Sequence, residues 1–188
     1  MKHLSDIEII ESVKRGNQGD FALLIDRYKD KAFNLLKRML KNDQDAEEVL
    51  QDAFLKAFNS LHSFRQEAKF STWFYKIAYN SALTELSKKK RKIEREMSSI
   101  EDQLELGIDD DEIYSQTNGA NEYLYKIFDQ LPVKHALVVI LFYIDNMSLN
   151  EISQVTGQSI VNIKVMLHRS RNSLRELLLK HNYHEELL

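Results

Sequence analysis

Apolar side chains return at three- and four-residue steps through most of this chain, a spacing that predicts helices rather than strands. Ser5-Asp6-Ile7-Glu8 reads as a capping box, and the short helix it opens is expected to fade at Gly16-Asn17. Asp20 is placed to cap a second helix reaching about Lys41, with Leu23, Leu24, Tyr28, Ala32, Leu35, Leu36 and Met39 along its apolar stripe. After Asn42-Asp43 a third helix carries Ala46, Val49, Leu50, Ala53, Phe54, Ala57, Phe58 and Leu61 on one face. Periodicity lapses from His62 to Lys69, a polar loop with Phe64 inside it. A fourth helix begins near Ser71 and ends in the basic run Lys88-Lys89-Lys90-Arg91-Lys92.

The next stretch is different in kind. Ser115-Gln116-Thr117-Asn118-Gly119 has the composition of a loop, followed by a short helix over about Asn121 to Gln130. Beyond Leu131-Pro132, a helix from Val133 to Asp145 is apolar enough to be a core helix. Ser148-Leu149-Asn150-Glu151 is a second capping box, and its helix should stop at Thr156-Gly157. Ser159 then caps a long last helix with Ile160, Ile163, Leu167, Leu174 and Leu177 inward. The expected fold is all-α, with two small helical domains, 1–95 and 121–188, joined by a flexible linker over 96–120.

Charge sharpens that division. Residues 1–98 hold 19 basic and 15 acidic side chains, residues 99–120 hold none and seven, and residues 121–188 hold seven of each. The whole-chain charge of −3 therefore hides a basic block, an acidic connector and a balanced block. Five Gly and one Pro are too few for turn-rich β structure. Cysteine is absent, which removes disulfides and thiolate metal sites and is compatible with a reducing cytoplasm. The start, Met1-Lys2-His3-Leu4-Ser5-Asp6, lacks the apolar run of a secretory signal. The longest apolar stretch, Ala136 to Ile144, is too short to span a bilayer, so no membrane insertion is expected.

Three groups of residues carry chemistry. The short helix, Gly157 turn and longer helix from Ser159 have the layout of a helix-turn-helix, whose second helix enters a major groove. Ser159, Asn162, Lys164, His168, Arg169, Arg171 and Arg175 suit phosphate contacts there, although a helical hairpin with solvated charges has the same pattern. On the fourth helix Trp73, Lys76 and Asn80 share one face, near Phe64, Phe70 and Tyr75. Rings beside amide and basic groups suit unstacked bases, whereas Phe74, with Ile77 and Ala78, reads as core. Glu48, Gln51, Asp52 and Leu55 on the third helix form either a protein-docking face or a merely solvated one. There is no glycine-rich phosphate loop, GxSxG or metal triad, so no catalytic residue, metal or cofactor is assigned and an enzyme is not expected.

Taken together, these segments resemble the extracytoplasmic-function sigma factors, the smallest promoter-recognition subunits of bacterial RNA polymerase. Asp45 to Phe58 (DAEEVLQDAFLKAF) is similar to the conserved region 2 helix of that family, and Phe64 to Lys92 to its promoter-melting part. Leu131 to Leu177 resembles region 4. The resemblance implies that Asp45, Glu48, Gln51, Asp52 and Leu55 dock on the β′ clamp helices of core polymerase. It implies that the Ser63–Lys69 loop holds a base flipped from the −10 element, with Phe64 and Arg65 at its mouth. Trp73, Lys76, Asn80 and Lys88, Lys89, Lys90, Arg91 and Lys92 would grip the melted strand and adjoining duplex. Ser159, Val161, Asn162, Lys164, Val165, Met166, His168, Arg169 and Arg171 would read the −35 duplex, while the rest of region 4 meets the β flap. The acidic connector would thread the polymerase cleft, and an anti-sigma factor is an expected partner.

One departure is informative. The family often has Gly-Thr-Val-Lys-Ser-Arg where this chain has Val161, Asn162, Ile163, Lys164, Val165 and Met166. Loss of that arginine removes a bidentate contact to guanine, and Val165 and Met166 are then expected to pack on thymine methyls. Rival readings from the residues alone are a free-standing helix-turn-helix regulator and a sigma mimic that binds a regulatory protein.

Overall fold

A computed structural model of the chain describes residues 4–98, 127–128 and 130–180, and every regular element among them is helical. α1 spans Asp6–Lys14, α2 Phe21–Leu40, α3 Asp43–Ser60 and α4 Phe70–Ser98. α5 spans Val133–Val139 and runs on into a wider π-type stretch over Ile140–Ile144, α6 is Leu149–Thr156 and α7 is Ile160–Lys180. The connector residues 99–120 and most of the helix expected at 121–130 lie outside the described residues. α4 itself continues to Ser98, past the expected boundary at 95.

Local chemistry sets most helix ends. Both capping boxes form, with Ser5 Oγ accepting the Glu8 N–H at 3.3 Å and Ser148 Oγ accepting the Glu151 N–H at 3.3 Å. The return bonds, from Ser5 and Ser148 N–H to the glutamate carboxylates, are each 2.7 Å. Asp20 departs from the expected cap. Its backbone is already helical, and its carboxylate accepts the Ser12 hydroxyl instead, tying the end of α1 to the start of α2. Asn42 caps α3 by accepting the Asp45 N–H at 3.0 Å. At the end of α6 the chain turns left-handed at Gly157 (φ 71°), where glycine has no Cβ to clash.

Aromatic packing joins α2, α3 and α4. Phe74 is fully enclosed and stacks on Phe54 at 4.4 Å and on Phe70 at 5.9 Å, with Tyr28 at 6.1 Å. Tyr28 donates its hydroxyl to Asp6, which also pairs with Arg27, so α1 is held across the same core. Burial and the Asp6 carboxylate keep the Tyr28 phenol well above its ordinary pKa, so it remains a donor. In the C-terminal unit the six consecutive residues Ala136 to Leu141 are all buried, as a helix that is apolar all round requires. Ile152, Val155, Ile163 and Leu167 belong to the same apolar cluster.

The two units touch. α4 packs against α6 and α2 against α5, so the apolar core is continuous between them.

Replacing Phe74 with Ala removes the ring that three helices share, and it is expected to cost about 3–5 kcal/mol. Urea titration of the full chain followed by Trp73 emission checks this, since the chain holds one tryptophan and it neighbours the lost ring in α4.

Candidate nucleic-acid and polymerase interface

The α4 surface takes its shape from the rings beneath it. The Trp73 indole rests on Phe64 at 5.0 Å and Phe70 at 5.7 Å and stays half-buried, while Lys76 and Asn80 stand exposed along the same face. Phe64 is not at the loop mouth as expected. It is buried, and its carbonyl accepts Lys14 Nζ at 3.0 Å, which pins the loop to α1. The loop therefore offers Ser63, Arg65 and Lys69 to its surroundings, with Phe64 as their floor. Ser63 Oγ donates to the Ser60 carbonyl at 2.7 Å, which orders the approach to the loop.

The basic run is less uniform than its sequence. Lys88 pairs with Glu85 at 3.2 Å on its own helix, and Lys89 pairs with Asp45 on α3. Lys90, Arg91 and Lys92 are exposed. Asp45 is thus committed to α4 and does not stand free on the expected docking face of α3, a correction that i, i+3 spacing within α3 had no means to reveal. The remaining members of that face, Glu48, Gln51, Asp52 and Leu55, are all exposed. Leu55 is 60% exposed, an unusual position for a leucine in the middle of a packed helix. Lys56 pairs with Asp52 at 3.1 Å and reaches Ser81 on α4 at 3.0 Å.

On α7, Ser159 Oγ accepts the Asn162 N–H at 3.2 Å, and the Asn162 amide donates to Gln158 at 2.6 Å. Val161, Asn162, Lys164, Val165, His168, Arg169 and Arg171 are exposed. Met166 is only 6% exposed, which corrects the expectation that it meets thymine methyls. Ile160, expected inward, is exposed, and Ser170 sits fully buried with its hydroxyl donating to the Met166 carbonyl at 2.8 Å. Ser170 escapes pattern reading because a serine that returns its hydroxyl to the preceding turn is packed like a small apolar residue.

Polar contacts between the units join residues that the sequence pattern gives no reason to pair. Glu151, on the first helix of the helix-turn-helix, pairs with Lys69 at 3.1 Å and accepts Thr72 Oγ1 at 3.4 Å. Asp145 pairs with Lys31 at 3.2 Å, and its side chain is 4% exposed. Burial raises the Asp145 carboxyl above its ordinary value, and Lys31 and the Tyr75 hydroxyl offset only part of that. Burial also pushes Glu151 upward, but hydrogen bonds from Ser148 and Lys69 outweigh it and leave the group below its usual range. Among the described residues no cluster of three or more metal-ligating side chains forms, and no helix is long and apolar enough to cross a membrane.

Comparison with known proteins bears on all three surfaces. Residues 24–92 match the family model of sigma-70 region 2, and residues 121–174 match that of sigma-70 region 4. The chain is 36% identical over 177 residues to the ECF RNA polymerase sigma factor SigW of Bacillus subtilis, covering 90% of this chain and 94% of that protein. The chain belongs to the extracytoplasmic-function sigma factors. It is also 28% identical over 180 residues to the ECF RNA polymerase sigma-E factor of Escherichia coli, covering 92% and 94% of the two chains. The fold is similar to that of the sigma factor RpoE in complex with the anti-sigma factor NepR from Bartonella quintana, with a TM-score of 0.65, 20% identity and coverage of 85% of this chain and 96% of that one. It is likewise similar to CnrH in complex with the cytosolic domain of CnrY, with a TM-score of 0.61, 21% identity and coverage of 90% and 94%.

For this sigma factor the contact between units has a predictable pH dependence. A carboxyl whose folded pKa is raised favours the packed state when protonated, and that advantage is lost as pH rises through the raised value. Lowering pH from neutrality toward the raised Asp145 value is therefore expected to tighten the packing of the end of α5 on α2, where Asp145 meets Lys31. In that interval Glu151, held low, keeps its charge. Energy transfer between dyes on cysteines introduced at the exposed Gln44 and Glu176 should rise on acidification. In Asp145→Asn the transfer should be high already at neutral pH and lose its pH response.

Proposed function

We propose that this sigma factor binds core RNA polymerase and directs promoter-specific initiation, with the two units reading DNA in different states. The observation that carries this is the coexistence, on one chain, of region 2 and region 4 matches with three exposed surfaces of distinct chemistry. The first unit (1–95) contacts polymerase and the −10 element, the stretch 96–120 connects, and the second unit (121–188) contacts the −35 element. The division at 120 follows the charge blocks, while α4 carries the last helix of the first unit on to Ser98.

Glu48, Gln51, Asp52 and Leu55 form the polymerase-docking face, to be met by clamp helices of β′. An exposed leucine ringed by carboxylates suits an apolar contact with a basic rim. Trp73, Lys76 and Asn80, with the Ser63, Arg65 and Lys69 edge of the loop, take the melted −10 strand: the indole stacks on a base, Asn80 bonds an edge, and the cations hold phosphates. Arg91 and its basic neighbours extend that path to the duplex upstream. Capture of an unstacked base draws the melting equilibrium toward the open state without any covalent step.

Binding both elements at once requires the units to part. Lys69 and Thr72 are engaged by Glu151, so −10 capture replaces a carboxylate with strand phosphate at the same cation. The ion pair is solvated on the Lys69 side, so it contributes little on its own. Polymerase docking and DNA contacts together supply the opening. An anti-sigma factor is the regulatory partner that membership in this family supports, and the cytoplasm, where polymerase works, is the compartment.

Transcription by purified core polymerase on a genomic DNA pool, with and without this protein, tests the proposal directly. Sequenced 5′ ends should reveal new start sites with shared −10 and −35 elements, and a pattern no different from core alone would sink it. Leu55→Asp should weaken polymerase binding at least tenfold, measured by fluorescence anisotropy, with an unchanged melting temperature because the side chain faces water. Lys76→Ala with Asn80→Ala should slow open-complex formation, read by permanganate reactivity of −10 thymines, while leaving −35 duplex binding of the holoenzyme intact.

A further inference from the structure

The exposed face of α7 is unusual at its start. Val161 is 73% exposed and Val165 40%, and Ile160 beside them is 37% exposed. Val161 and Val165 stand one turn apart, so they lie one above the other on the same face. Ile163, Met166, Leu167 and Ser170 are all buried and occupy the opposite face. At about 3.6 residues per turn, Asn162 and Arg169 flank the valine pair on one side and Lys164 and Arg171 on the other. The outward line of this helix is therefore apolar along its first turns and bordered by an amide and cations.

Scattered exposed apolar residues need no explanation, but these sit at the N-terminal end of the second helix of a helix-turn-helix, the end that meets base edges. A valine there has no donor or acceptor. Within a major groove the one base feature it recognises favourably is the C5 methyl of thymine. The flanking cations lie where phosphates border the groove. No arginine precedes Arg169 on α7, so the first turns lack the planar guanidinium that reads guanine, and their one cation, Lys164, lies on the flank of the valine line.

We propose that Val161 and Val165 form a methyl-reading pair that selects thymine at one or two positions of the −35 element. Met166 has no part in it. This rests on the promoter reading above and adds to it the base feature recognised and the residues that recognise it. Asn162, whose amide is tied to Gln158, sets the border of the pair rather than its specificity.

Replacement of single thymines by deoxyuridine tests the pair, since it deletes the methyl and leaves every hydrogen-bonding group in place. The −35 element is first selected from a randomised library using the holoenzyme, and binding to each substituted promoter duplex is then measured by competition. At one or two thymines, on either strand, deoxyuridine should weaken binding about 3- to 5-fold, the ratio expected for burying one methyl-sized group. Val161→Ala with Val165→Ala should bring the thymine-to-uracil ratio at those positions to one, while Met166→Leu should leave it unchanged. Equal binding of thymine and deoxyuridine at every position would overturn the proposal, as would discrimination that survives both alanine changes. If the holoenzyme selects no −35 element at all, the promoter reading itself fails and the pair falls with it.

Discussion

A single enclosed ring governs where this protein presents its chemistry. Phe74 stacks between Phe54 of α3 and Phe70 of α4, beside Tyr28 of α2, and none of its surface reaches water. Packed rings of this size tolerate little displacement, because a ring pulled away from its neighbours forfeits dispersion attraction that nothing else in the interior restores. With α3 and α4 fixed about that ring, their outer faces are fixed too. Leu55, one residue after Phe54, faces solvent from α3, and Trp73, one residue before Phe74, is partly open on α4. The proposed docking face and the proposed base-binding face are therefore neighbours in sequence of the residues that build the core, and each inherits its rigidity.

Charge is handled differently in the core and on the two faces. Asp6 and Asp145 are carboxylates drawn toward the interior, and each has a cation to meet it, while Asp6 also accepts the Tyr28 hydroxyl. Asp6 joins α1 to α2 within one unit, whereas Asp145 lies where the two units meet. Desolvation prevails over attraction at Asp145, so that carboxylate is a weak fastening for the packed arrangement. Glu151 is held mainly by its own capping box, and its bond to Lys69 costs the helix nothing to release. Beside the shared apolar packing, the polar part of this contact is one desolvated carboxylate and one solvated ion pair, which gives little resistance to a competing polyanion.

Much of this fold is legible in the spacing of residues along the chain. Both capping boxes, the Gly157 stop, the Ser159 cap and the exposure of Glu48, Gln51, Asp52 and Leu55 follow from spacing alone, because each depends on residues within one or two turns. The departures from expectation share a cause. Phe64 is buried by α1 and α4 partners, Asp45 is claimed by Lys89 forty-four residues away, and Asp20 is drawn to Ser12. Ile160 and Met166 exchange their expected faces because the register of a helix with mixed polarity is settled by what packs against it. Interactions at long sequence separation leave no period to read.

Balanced charge in the second unit fits the same division of labour. Seven basic and seven acidic residues in 121–188 give a helix-turn-helix little non-specific attraction to duplex DNA, which comes largely from phosphate neutralisation. A free regulator of this size would need a basic surface or a dimer to hold its operator. A unit delivered by polymerase needs neither, because tethering beside the promoter raises its effective concentration and leaves only discrimination to be supplied locally. Apolar side chains on the outward line of α7 suit that role, as they add selectivity between bases without adding attraction to phosphate. Tight, sequence-specific footprints by the isolated protein at physiological salt would contradict this division, and appearance of the −35 footprint only with core polymerase is the expected result.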